Sequence, residues 1–216
     1  MKSRVAGTIF VLLAGFAVIS PFDRTVPRAD AADADSIETI VLVRHGEKPP
    51  AGLGQLNCQG LNRALALPAV LRKAFGQPAA IFAPNPSEQK TDGDKLYDYV
   101  RPLATIEPAA IEFGLPVHTG IGQSRIDDLR RQLDSEMYHN SYVLVAWEHT
   151  EAMLLARALM TEHGGDPKSV PDWKGNDFDS IYVVKIHRSG PAATAVFVLG
   201  HEGLDGQPST CPGAAG

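Results

Sequence analysis

The chain has no excess of positive charge: 20 Lys and Arg stand against 25 Asp and Glu, giving a net charge of −5 and a pI near 5.8. Without a basic footprint, nucleic acid is excluded as a main partner. Cysteine is sparse, with Cys58 and Cys211 the only two, and none lies near residue 20, so nothing suggests a lipoprotein anchor. Tight metal-ligand spacing of the His-x-x-x-His kind is missing as well. A zinc hydrolase built on His45, Glu47, Glu148 and His149 would therefore lack its usual local signature. There is no internal repeat and no domain-scale linker. With 44% hydrophobic residues in 216, the chain can bury one full core and reads as one domain plus extensions.

The first 34 residues read as a signal peptide and cleavage region. Lys2 and Arg4 precede an apolar segment at 5–20, and the small-residue run Ala29-Asp30-Ala31-Ala32-Asp33-Ala34 follows. Cleavage is expected after Ala31 or Ala34, placing the mature protein in a periplasm or outside the cell. The alternative is an uncleaved anchor, for which the segment is short against a span of about 20 residues. Processing would leave no stable membrane span. An oxidising compartment permits Cys58 and Cys211 to pair, and the bridge and two free thiols both stay open. Residues 35–203 form the expected domain, and the Gly/Pro-rich 204–216 a flexible tail.

Chemistry is concentrated where apolar runs stop. Ile40-Val41-Leu42-Val43 is β-branched and apolar throughout, the pattern of a central strand covered on both faces, and it ends in Arg44-His45-Gly46-Glu47. Ser141-Tyr142-Val143-Leu144-Val145-Ala146-Trp147 is a stronger strand and ends in Glu148-His149-Thr150. In open α/β sheets the carboxyl edge of the strands is the binding edge, so His45 and His149 are expected to share it. Between them the pattern predicts a helix over 58–75 capped by Asn57, a short strand at 79–83, and a polar excursion over 85–99. A helix then begins at Pro102, is kinked or restarted at Pro108 and ends before Gly114. An edge strand at 115–118 and an amphipathic helix over 125–137 with Met137 on its apolar face come next. Thr150 reads as the cap of a helix running to 162, and paired strands at 180–186 and 193–199 close the domain.

The Arg44-His45-Gly46-Glu47 tetrapeptide after a buried strand resembles the signature of the histidine phosphatase superfamily. Arg101 four residues before Thr105 matches that superfamily's second arginine, and His149 its second histidine. The resemblance implies a three-layer α/β/α sandwich with a mostly parallel central sheet. It implies hydrolysis of a small-molecule phosphate ester through a phosphohistidine on His45, with no cofactor and no metal. Arg44, Arg101 and His149 would bind the phosphoryl group, while Gly46 and Glu47 would support them from behind, Glu47 by ordering the arginines. Charge-assisted donors from two arginines suit the equatorial oxygens of a phosphoryl group in flight. The leaving-group acid is the gap: Thr150 stands where one branch carries an aspartate, and no glutamate follows the second arginine's helix as in the other. Glu148 is the expected donor. A phosphatase-like module that binds without turnover remains the alternative, and nothing in the sequence sets the oligomeric state.

Overall fold

The computed structural model describes residues 35–213; the expected signal and cleavage region falls outside them. Its centre is a six-stranded sheet in the spatial order β5-β2-β6-β1-β7-β8. These strands are β1 (Ser36–Arg44), β2 (Ala80–Phe82), β5 (Val117–His118), β6 (Tyr142–Trp147), β7 (Ser180–Ser189) and β8 (Ala192–His201). β1, β2, β5 and β6 are parallel, while β7 runs antiparallel to β1, and β8 antiparallel to β7. The remaining two strands, β3 (Gln89–Asp92) and β4 (Lys95–Asp98), form a separate hairpin.

Alternation along β1 shows why its sequence is apolar throughout. Val41 and Val43 face one layer with Leu67 and Leu71 of α1 (Cys58–Phe75) and Ile106, Ala109 and Phe113 of α2 (Arg101–Phe113). Ile40 and Leu42 face the other, with Leu129 and Leu133 of α3 (Ile126–Leu133) and Leu155 and Leu159 of α4 (His149–Glu162). A strand covered twice has no solvent face to mark with polar residues. The result is a three-layer α/β/α sandwich with a mostly parallel sheet.

Four local expectations need correction. Helix α2 does not restart at Pro108 but is continuous through it: a proline removes one intrahelical bond, and the packing of Ile106, Ala109, Ala110 and Phe113 on either side carries the helix past it. Helix α3 stops at Leu133, a short 3-10 turn follows at Glu136–Tyr138, and Met137 is exposed while Tyr138 turns inward. The cap of α4 is Glu148, not Thr150. Its carboxylate accepts the N–H groups of Thr150 and Glu151 at 3.0 and 3.2 Å, because the helix begins immediately at His149. The tail is not loose: Cys58 and Cys211 are bonded as a disulfide, and Asn62 Nδ2 donates to Pro208 O and Thr210 O, both at 2.8 Å.

Candidate active site

Register places the two histidines. β1 and β6 pair in parallel with Arg44 opposite Trp147, and the His45 N–H continues the ladder by donating to Trp147 O at 3.1 Å. The residues after each strand, His45 on one side and Glu148-His149 on the other, therefore leave the sheet at the same level of its carboxyl edge. Gly46 is required here by closeness: a Cβ on it would lie 2.9 Å from Gly60 O, and one on Gly60 would lie 2.3 Å from Glu47 O. Two glycines let the turn after β1 and the start of α1 cross in backbone contact. Gly46 N then donates to Thr105 Oγ1 at 2.9 Å, and that hydroxyl donates to Arg101 O, also at 2.9 Å.

His45 is 2% exposed. Its Nδ1 lies 2.8 Å from Gly46 O. A carbonyl only accepts, so Nδ1 carries the hydrogen and Nε2 keeps a lone pair. Burial lowers the ring's pKa to about 3, with Arg101 and Arg44 pushing the same way and the Gly46 bond opposing them. The imidazole is thus neutral at physiological pH. Tyr99 meets it edge-on at 6.1 Å between centroids and Phe178 at 6.2 Å.

Both arginines are buried and pinned by one corner. Arg44 Nη1 donates to Gly175 O at 2.9 Å and Asp177 O at 2.8 Å, and its guanidinium sits 3.9 Å from the centre of the Phe178 ring. Arg101 Nη1 donates to the Asp92 carboxylate, and its guanidinium lies 5.0 Å from the Tyr99 ring centre. In each, Nε is buried without a partner among the described residues. Each arginine thus keeps a charged donor without an acceptor near the neutral imidazole, and a buried N–H left so costs about 1–3 kcal/mol.

His149 Nδ1 lies 2.5 Å from Glu148 Oε1, a close approach without the alignment of a hydrogen bond. Burial pushes the Glu148 carboxyl up, but His149, Lys90 and the backbone N–H of Glu151 together bring it down to about 2. Glu148 is therefore an ionised cap, poorly suited to the donor role expected of it. Glu151, in the first turn of α4, is the opposite case: burial first and the Glu148 charge second raise its pKa, with Lys90 opposing. Glu47 does not order the two arginines. Its carboxylate takes Arg63 of α1 at 2.8–3.1 Å, and Arg63, wholly buried, also binds Glu202 at 2.6 Å and Asp205 at 3.0 Å.

The structure thus gathers Arg44, His45, Arg101 and His149 around one edge, and adds Asp92, Tyr99, Phe178 and Glu151. The aromatic and Asp92 contributions come from long-range folding of the 85–99 excursion and the loop before β7. Glu151 had a local signal, a carboxylate two residues after the second histidine. Among the described residues no three His, Cys, Asp or Glu side chains gather as a metal site, and no helix is long and apolar enough to cross a membrane.

No family model and no curated protein sequence matches the chain. Solved structures do. A protein assigned as the phosphohistidine phosphatase SixA from Nakamurella multipartitia superposes with a TM-score of 0.51 at 16% identity, over 77% of this chain and 96% of that one. The mycobacterial glucosyl-3-phosphoglycerate phosphatase gives 0.51 at 16%, over 75% and 97%. At such identity the likeness is one of fold, and the fold of this chain is that of the phosphoglycerate mutase-like proteins.

Proposed function

We propose that this protein hydrolyses phosphate monoesters without a metal, through a phosphohistidine on His45, and that it does so after export. The observation that carries the reading is the state of His45: buried, neutral, its Nδ1–H spent on Gly46 O, its Nε2 lone pair free, and two guanidiniums with unpartnered Nε donors close enough to depress its pKa.

In the first step Nε2 forms a bond to phosphorus as the ester P–O bond breaks. Arg44 and Arg101 hold the equatorial oxygens, and His149 adds a further ring N–H toward them. The departing oxygen takes a proton from Glu151. The carboxylate pair Glu148 and Glu151 is split by environment, one kept ionised and the other pushed toward its neutral form, which is how an acid role is assigned between neighbours. In the second step water attacks phosphorus, the Nε2–P bond breaks, and Glu151 takes the water's proton back. Export is supported by the Cys58–Cys211 bridge, since disulfides persist in oxidising compartments.

A phosphate-binding module without turnover has one observation in its favour: the carboxylates of Glu148 and Asp92 are both held down at about 2 and carry no proton at neutral pH. Turnover decides. The full mature chain should hydrolyse p-nitrophenyl phosphate and an alkyl phosphate, and quenched enzyme should carry acid-labile, base-stable phosphate that His45→Ala abolishes. Glu151→Gln should slow the alkyl ester by about 10²–10⁴ and spare the nitrophenyl ester, whose leaving group needs little protonation. Tight phosphate binding with no turnover of either ester would establish the binding module; full activity in His45→Ala would end the phosphohistidine reading.

A further inference from the structure

The β3–β4 hairpin lies outside the sheet, yet it sends one carboxylate into the core of the site. Asp92, the last residue of β3, is 6% exposed. It accepts from Lys48 Nζ at 2.7 Å, from the backbone N–H of Gly54 at 3.4 Å, and from Arg101 Nη1. The chain around it is fitted to it. A Cβ on Gly52 would fall 2.2–2.5 Å from the carboxyl atoms of Asp92, and Gly52, Leu53 and Gly54 are all left-handed, with φ of 77°, 59° and 68°. A leucine in that region is uncommon and held only when its surroundings demand it. Gly54 O in turn accepts the N–H groups of Val100 and Arg101, at 3.1 and 3.0 Å, supplying the cap that Val100 has no side chain to give.

Arg101 is therefore held twice from one carboxylate: directly at Nη1, and at its backbone through the loop that Asp92 anchors. What remains unspent is the other side of the guanidinium: Nε is buried without a partner, and Nη2 makes no hydrogen bond among the described residues. We infer that Asp92 is a positioning residue, which holds Arg101 by Nη1 and so fixes its guanidinium with the Nε–Nη2 edge toward the phosphoryl oxygens. Arg44 is treated alike by different means, with Nη1 pinned by the carbonyls of Gly175 and Asp177 and Nε free. The two pinned forks give the anion a fixed frame, and the entropy of ordering Arg101 is met in folding instead of at binding. Lys48 balances the negative charge that this brings beside an anion site. Burial acts to protonate Asp92, and the bonds from Lys48 and Arg101 overcome it, leaving the carboxyl at about 2.

The inference rests on the phosphate pocket proposed above, and the test separates the two. Inorganic phosphate is titrated calorimetrically into the full chain carrying His45→Ala, alone and combined with Asp92→Ala, Asp92→Asn or Lys48→Met. kcat and KM for p-nitrophenyl phosphate are measured with His45 intact. Asp92→Ala should weaken phosphate binding by about 10–100-fold, the scale of one charge-assisted hydrogen bond. Asp92→Asn, which still offers Arg101 an oxygen, should recover to within about 5-fold of the parent. Lys48→Met, which frees the carboxylate but leaves it on Arg101, should change phosphate affinity by about 2-fold or less. A simple loss of loop structure would lower affinity in step with thermal stability across all three variants, and that pattern overturns the inference. So does an Asp92→Ala chain that binds phosphate as the parent does. Failure of the phosphohistidine reading would show instead as turnover surviving His45→Ala, whatever the phosphate titrations give.

Discussion

Removing the Cys58–Cys211 bridge should cost this protein more than any single contact in it. The bridge spans a sequence separation of 153. Closing a loop of that length removes about 17 cal/mol/K from the unfolded chain, or about 5 kcal/mol at 25 °C, by the loop-entropy relation. Native contacts barely change on its removal, because the tail keeps its bonds from Asn62, the Leu204 N–H to Asp179 and the Asp205 carboxylate to Arg63. The loss is thus carried by the unfolded state. Urea unfolding of the oxidised protein, the dithiothreitol-reduced protein and the Cys58→Ser/Cys211→Ser variant measures it through linear extrapolation. The two unbridged forms should agree with each other and lie several kcal/mol below the oxidised one. Turnover at 25 °C should stay nearly unchanged, since His45 is held by Trp147 O and Gly46 O and not by the tail. A difference under about 1 kcal/mol, or two titratable thiols in protein never exposed to reductant, would refute the reasoning.

The acid limb of kcat/KM should show no step near 6.5 from the nucleophile, because His45 stays neutral down to about 3; an activity loss below pH 7 that His45 chemistry alone explains would contradict this. Burial raises the Glu38 carboxyl from about 4.5 to about 7 despite its bond from Arg188. The folded state then binds more protons than the unfolded one between those values, so this residue's contribution is present below pH 4.5 and is lost as pH rises through 7. Glu38→Gln should therefore flatten the pH dependence of unfolding free energy across that window, and an unchanged slope would count against it. N-terminal sequencing of exported protein should read a start just after Ala31 or Ala34, whereas membrane-bound protein beginning at Met1 would sink the export proposal.

The sheet and the edge that gathers the two histidines were legible because two apolar runs end in polar, titratable residues. Ile40 to Val43 and Ser141 to Trp147 read as doubly covered strands, and parallel strands put whatever follows them on one edge. What escaped reading depended on distance in sequence or on near-equal local choices. Glu148 and Thr150 both cap helices well, and only the abrupt start of α4 at His149 selects the carboxylate. Glu47 was expected beside the arginines of the pocket, but its partner Arg63 lies sixteen residues on, on the buried face of α1. The excursion at 85–99 shows no periodicity worth a strand, since β3 and β4 are short and mostly exposed. Its contribution to the site, Asp92 and Tyr99, is tertiary throughout.

These corrections bear on the chemistry together. Each carboxylate near the phosphate pocket is given a cationic or N–H partner that fixes its charge: Glu47 goes to Arg63, Asp92 to Arg101 and Lys48, and Glu148 to the first turn of α4 beside His149. An anion site tolerates ionised carboxylates only when their charge is already engaged, because a free one would repel the ligand by several kcal/mol at contact distance. Glu151 is the exception, and its environment favours the neutral form instead. A carboxyl whose pKa is raised by burial and a neighbouring negative charge holds its proton to higher pH than a free one, the direction that suits the proposed acid role. On the proposed acid role, replacing Glu151 by Asp, which keeps a titratable carboxyl but shortens the reach, should retain part of the alkyl-phosphate rate that Gln loses, and a rate no better than that of the Gln variant would count against it.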